Sequence, residues 1–235
     1  MALKGESFRH QDGRLTQRIV LGAKSYFIKQ HSGVGWKEIF KNLIQFRLPV
    51  LSASNEWRAI NKLASLQIAV PTVVGFGMRG INPATVESFI LMEEIAPAVS
   101  LETLCADWKQ HPPSFADKQK LITAVATIAR VMHEHGVNHR DFYLCHFLLH
   151  PSQRLYLIDL HRAMRHRLTP ERWIIKDLAG LYFSSTQIGL TQRDLYRFMK
   201  IYHKSPLHTL LASEKTFWQK VLTRGNTYRD HTQSV

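Results

Sequence analysis

Over its first hundred residues the chain alternates apolar and polar positions with the two-residue period of strands. RLTQRIVL (14–21) and KSYFIKQ (24–30) flank Gly22-Ala23, which predicts an antiparallel hairpin with a tight turn. A short strand is expected near 6–10, and TVVGFG (72–77) and VESFILM (86–92) predict two more. Between these runs the period lengthens. Trp57, Ile60, Leu63 and Ala64 recur at helical spacing within 55–66, behind Ser52 and Ser54 as candidate caps. Trp36, Ile39, Phe40, Leu43 and Ile44 do the same within 35–48, beside Lys37, Lys41 and Arg47.

After about residue 100 the helical period takes over. Ser114-Phe115-Ala116-Asp117 has the pattern of a capping box. The helix it opens carries the apolar stripe Leu121, Ile122, Val125, Ile128, Ala129 and Met132, and Gly136 suits its left-handed end. HRDFYLCHFLL (139–149) follows, then a turn at 151–154 and the strand LYLI (155–158), which ends at Asp159. Two more helices are predicted near 173–188 and 192–203, the second opened by Thr191 and Asp194. Repeats and low-complexity segments are absent. The expected class is α+β and bilobal, with a β-rich N-lobe over 1–97 and an α-rich C-lobe over 98–235.

Composition narrows the setting. With 235 residues, 45% hydrophobic and 21% charged, an ordinary globular protein is expected. No apolar run reaches the roughly 20 residues of a spanning helix. The start, MALKGESFRHQDGRL, lacks the apolar region of an export signal, so the cytoplasm is the expected compartment. Cys105 and Cys145 are then expected to be reduced and buried rather than bridged. Thirty-one Lys and Arg against eighteen Asp and Glu give a net charge of +13. That balance favours an anionic partner: nucleic acid, an acidic membrane surface or a phosphorylated substrate. Without a basic-aromatic recognition motif, nucleic acid is not expected.

Four charged positions fall in the order that phosphoryl transfer requires. Lys29 lies near the end of a strand after a hairpin, and Glu56 early on the next substantial helix. Asp141 follows the long second-lobe helix within His139-Arg140-Asp141, and Asp159 ends a strand eighteen residues later. A Lys neutralises nucleotide phosphates while a Glu holds it; one Asp orients or deprotonates the acceptor hydroxyl, and another binds magnesium. Each signal is weak alone, since a strand Lys is usually a solvated edge residue and a terminal Asp a turn former. Their joint order and context carry the kinase reading, with ATP and magnesium as cofactors. The glycine-rich loop is poorly matched: 10–14, HQDGR, occupies its place with one Gly.

Five residues after Asp141, where kinases usually carry Asn, stands His146. It is a magnesium ligand, a hydrogen-bond partner within the loop or a core histidine; imidazole suits magnesium poorly, which favours the hydrogen bond. The histidines at 133, 135, 139, 146, 150 and 161 raise a zinc alternative, but His-Glu-His lacks the HExxH spacing.

GVNHRDFYLCHFLLH (136–150), LIDLHRA (157–163) and RWIIKDLAGLYFSSTQIGLTQRD (172–194) resemble the lipopolysaccharide core heptose(I) kinases. HSGVGWKEIFKNLIQFRLPVLSASNEWRAI (31–60), VSLETLCADW (99–108) and Pro112-Pro113 extend the likeness over roughly 12–205. The resemblance implies a protein-kinase-like fold, ATP with magnesium, and heptose I of the inner core as acceptor. It places the catalytic aspartate at Asp141 and the metal position at Asp159, and it carries His at 146. His139, Arg140 and His146 would support the catalytic loop, and Asp177 would brace it. Phe142 stands where the family usually has Cys, and the segments before Lys29 and at 150–155 are short. A lipid-linked acceptor implies a position at the cytoplasmic face of the inner membrane, and an acylated acyl carrier protein is a further implied partner. Arg162 and Arg165, with Arg167, Arg172 and Lys176, would line the acceptor side; the plainer reading is a solvated basic segment. Rival readings are a kinase of Kdo or heptose II, a protein kinase, or an aminoglycoside-type phosphotransferase. The Asp-Leu-His motif, the missing Ala-Pro-Glu and the positive charge weigh against the last two. The stripe within 35–48 either packs on the small lobe or rests on a membrane, and burial of Trp36, Phe40 and Leu43 decides.

Overall fold

Alternating side chains make a half-buried sheet of the N-terminal strands. The computed structural model describes residues 6–11, 13–33, 35–44 and 52–233. Its contacts divide the chain into two compact units. Met1–Ser65, Ala69–Ala96 and Asp159–Arg162 belong to the first; Leu66–Ile68, Pro97–Ile158 and Ala163–Val235 belong to the second.

In the first unit β1 (Glu6–Gln11), β2 (Arg14–Leu21), β3 (Lys24–Ser32), β4 (Val73–Arg79) and β5 (Glu87–Glu93) form an antiparallel sheet in the order β1-β2-β3-β5-β4. Leu21 pairs with Lys24 across a two-residue turn, whose first central residue, Gly22, has φ +63°. That conformation is nearly free for glycine and strained for other residues. Two helices, α1 (Gly35–Ile44) and α2 (Ser54–Ser65), lie between β3 and β4 in the chain. Ser52 Oγ accepts from the Ser54 N–H at 3.3 Å, and the Ala53 N–H donates to Ser88 Oγ at 2.9 Å. These contacts fix where α2 starts. Ala59, Ile60 and Leu63 are buried, whereas Ala64, assigned to the apolar stripe by periodicity, is exposed. Trp57 stacks flat on Phe76 of β4 with ring centroids 4.7 Å apart, so α2 is held to the sheet by an aromatic pair.

The second unit runs through β6 (Val99–Ser100), α3 (Leu101–Leu104), α4 (Phe115–Glu134), β7 (Val137–Asn138), β8 (Phe147–Leu149), β9 (Leu155–Leu157), β10 (Met164–Arg165), α5 (Glu171–Ser185), α6 (Gln192–His203), α7 (Leu207–Ser213) and α8 (Lys215–Gln233). Strands β6, β8 and β9 make one small ladder, and β7 and β10 another. Ser114 Oγ accepts from the Asp117 N–H and opens α4. After its end, Gly136 has φ +80°, and a Cβ there would run into the His166 carbonyl. Helix α4 packs against α6, and α5 against α8. Thr191 and Asp194 close a full capping box on α6, and the buried Asp194 carboxylate also pairs with Lys118 of α4 and Arg197. The periodicity reading did not anticipate α7 or α8. Cys105 is buried, Cys145 is only half-buried, and neither is in a disulfide. Burial, helped by Asp107, pushes the Cys105 thiol up to about 12.

At the centre of this unit lies Phe142, fully buried. It meets Phe147 edge-on at 5.0 Å and lies tilted against His133 and His139. Truncation there leaves a void beneath the His139–His146 loop. Phe142→Ala should lower the unfolding free energy by about 3–5 kcal/mol in urea titrations. A loss below about 1 kcal/mol would mean that the site collapses freely and that Phe142 is not central to this core.

Candidate active site

The chemistry-bearing residues form two sets, each held within one unit. In the first unit, strand β3 carries Lys29, paired with Thr16 of β2 on one side and Ile90 of β5 on the other. Its ammonium group donates to Glu56 Oε1 at 2.7 Å and to Asp159 Oδ1 at 2.8 Å. Glu56, on the first turn of α2, is only 2% exposed. The His161 imidazole lies 2.8 Å from the same Asp159 oxygen and donates through Nδ1. Asn55, next to Glu56, donates to the His161 carbonyl at 2.8 Å. So α2 grips both the lysine and the Asp159–Arg162 segment.

The electrostatics follow from this crowding. Burial disfavours charge on Lys29, but Glu56 and Asp159 overcome it and hold the amine above its ordinary range. Burial likewise opposes ionisation of Asp159; the His161 hydrogen bond and the Lys29 charge prevail and hold the carboxyl well below the usual range. Asp159 is therefore a permanent carboxylate. A cavity beside it is lined by Arg14, Thr16, Lys29, Gln30, His31 and His161. Among the described residues no group of three His, Cys, Asp or Glu side chains converges as a metal cage. Magnesium does not need one, because it takes one or two carboxylates and completes its shell with water and substrate phosphates. An ionised carboxylate beside a cationic, hydrogen-bonding cavity fits that requirement.

The second set centres on the loop from His139 to His146. Asp177 of α5, fully buried, accepts from the backbone N–H groups of His139 at 2.6 Å and Arg140 at 2.7 Å. Those bonds hold Arg140 at φ +75°, a left-handed conformation that costs a non-glycine residue about 1–2 kcal/mol. His139 donates from Nε2 to the Ile158 carbonyl at 2.9 Å and stacks on His146 at 5.5 Å. His146 donates from Nδ1 to the Asp141 carbonyl at 2.6 Å, and its own carbonyl accepts from the Ile158 N–H. The loop is thus fastened at both ends to the residue before Asp159. His133 adds a buried link, 2.9 Å from the Tyr202 hydroxyl and 3.4 Å from Asp177.

Of the basic residues after Asp159, Arg162 ends the return segment of the first unit, and Arg165 is exposed on β10. Trp173, missed from sequence, gathers Arg172, Arg140 and Lys176 over its ring at 5.3, 5.4 and 5.8 Å. Its signal was a tryptophan flanked by cations on one helix face. His31 was missed too, although it lies two residues beyond Lys29 on the same face of β3. The turn proposed to cover phosphates joins β1 to β2, and its Asp12 lies outside the described residues.

Residues 1–202 match the family described as lipopolysaccharide kinase (Kdo/WaaP). The chain belongs to that family. Its fold is protein-kinase-like, an N-terminal antiparallel sheet followed by a mostly helical part. It is 46% identical, over 98% of its length and 90% of the relative's, to the lipopolysaccharide core heptose(I) kinase WaaP of Escherichia coli strain K12. Identity to the protein of the same description from Pseudomonas aeruginosa is 48%, over 91% of this chain and 82% of that one. A solved structure, WaaP in complex with acyl carrier protein, superposes with a TM-score of 0.83 at 40% identity, covering 96% of this chain and 89% of that one.

Two outcomes test the supports of this site. Asp177→Ala strands two buried N–H groups, so it should cost about 2–5 kcal/mol of stability by chemical denaturation. A cost near zero would show that the loop does not depend on the carboxylate. Burial, together with Arg14, Lys29 and His161, pushes the His31 imidazole down to about 4. Unfolded, the same group protonates near ~6.5. The stability it supports is therefore full above about pH 6.5 and is lost as the pH falls toward about 4. Unfolding of His31→Gln should be less pH-dependent in that window than that of the parent, and parallel curves would rule the imidazole out.

Proposed function

We propose that this protein is an ATP- and magnesium-dependent kinase that phosphorylates heptose I of the lipopolysaccharide inner core. The observation that carries the reading is Lys29, ion-paired at once to Glu56 and Asp159. That three-charge arrangement suits the phosphates of a nucleotide and little else in a basic protein. The naming of the relatives favours heptose I over Kdo, heptose II or a protein acceptor.

Lys29 binds the nucleotide phosphates, and Glu56 keeps the ammonium group in position. Asp159 is the residue that would hold magnesium, which when bound neutralises phosphate charge. Asp141 orients the acceptor hydroxyl and takes its proton as the new oxygen–phosphorus bond forms and ADP departs. His139, Arg140 and His146 keep the loop in shape. Arg162 and Arg165, like the cations gathered on Trp173, supply positive charge suited to the carboxylates and phosphates of an inner-core acceptor. Such an acceptor is lipid-linked, so the protein works peripherally at the cytoplasmic face of the inner membrane; no helix among the described residues is long and apolar enough to cross it. The partner in the solved relative, together with a net charge of +13, supports an acylated acyl carrier protein as a second, acidic partner.

Asp141→Asn tests the assignment. It should lower transfer from ATP to lipopolysaccharide by about a hundredfold or more while leaving nucleotide binding intact. Transfer at the parent rate by that variant would remove Asp141 from the chemistry, and phosphate appearing away from heptose I would replace the acceptor.

A further inference from the structure

Helix α1 lies in the chain between Lys29 and Glu56, the two residues that pair. Its start is fixed firmly. Gly33 has φ +79° and passes so close to Ala84 that no side chain fits, and the Gly35 N–H donates to the Ala84 carbonyl at 3.0 Å. The helix is therefore anchored to the turn between β4 and β5, which also exposes Ile81 completely.

The burial of α1 runs against a simple packing role. Ile39 is 6% exposed and points into the first unit, but Trp36, Phe40 and Ile44 are 51%, 57% and 78% exposed. These three stand at i, i+4 and i+8. At about 100° per residue they occupy ~0°, ~40° and ~80° on the helix, a single continuous stripe. Trp36 and Phe40 stack on one another at 5.8 Å, so the stripe is a preformed aromatic ridge. Lys37 and Lys41, both exposed, follow at ~100° and ~140° and border it along one side. The Leu43 side chain and 45–48 lie outside the described residues.

We propose that this face of α1 docks the protein onto an anionic lipid bilayer, its aromatic ridge entering the interface and its lysines meeting acidic headgroups. The inference names the surface for the peripheral location proposed above and rests on that reading. Three features select lipid as the occupant. Tryptophan and phenylalanine beside lysine on one face is the arrangement of interfacial helices. A water-facing aromatic ridge is costly unless something apolar covers it. The charge on its border, within a chain of net charge +13, complements an acidic leaflet rather than a neutral or basic partner.

Co-sedimentation of the full chain with vesicles of phosphatidylethanolamine and phosphatidylglycerol tests this, with phosphatidylcholine vesicles as the neutral control. The parent should bind the acidic vesicles. Trp36→Ser/Phe40→Ser should lose that binding, and Lys37→Glu/Lys41→Glu should weaken it by about tenfold or more. Both variants should still phosphorylate a soluble core oligosaccharide at the parent rate, which also shows that they fold. Parent-like vesicle binding by both variants would overturn the proposal. So would a parent that ignores acidic vesicles, or one that self-associates in solution until Trp36 and Phe40 are replaced, since the face would then join copies of this chain. Failure of the kinase reading is separate: it shows as absent transfer to the soluble sugar, whatever the vesicles do.

Discussion

Lys29 is shared between two carboxylates from distant parts of the chain, one on a helix 27 residues on and one in the segment after β9, 130 residues on. At contact distances each attraction is worth about 6 kcal/mol before desolvation, taking an effective dielectric near ~20. Taking three charges out of water costs several kcal/mol each, so little net stability remains. What remains is position. Three charges summing to minus one are fixed beside a polar cavity, an arrangement that leaves a place for a divalent cation carrying an anionic nucleotide.

The supporting structure keeps this set and the His139–His146 loop in shape. Trp57 on Phe76 and Ser88 on Ala53 hold α2, and through it Glu56. Asn55 and His161 hold Asp159, which itself has φ +60°. A left-handed aspartate and a left-handed arginine, Arg140, occur within twenty residues. Each is a strained backbone position, Arg140 fixed by buried hydrogen bonds to Asp177 and Asp159 by partly buried ones to Lys29 and His161, a pattern concentrated at functional sites. His133, His139, His146 and His161 each hydrogen-bond a carbonyl, hydroxyl or carboxylate of the protein itself.

Much of this was legible because the signals were local. The hairpin at Gly22, the Thr191 capping box and the left-handed Gly136 each follow from a few neighbouring residues. So does the order of Lys29, Glu56, Asp141 and Asp159. Features set by tertiary contact were not legible. Helix α8 buries Trp218, Val221 and Gly225 at helical spacing, but Gly225 lowers its apparent propensity, and its reason is the ring of Tyr182 close by. Joining of Asp159–Arg162 to the sheet unit depends on α2, which no local pattern encodes. His31 and Trp173 carry no motif, so only their neighbours reveal them.

Magnesium–ATP binding by Lys29→Met, measured calorimetrically, tests most directly whether the Lys29 ammonium is the group that meets nucleotide phosphates. At least about tenfold weaker binding of ATP than in the parent, with adenosine bound equally by both, is the expected result. Equal ATP affinity in a folded Lys29→Met variant would contradict it.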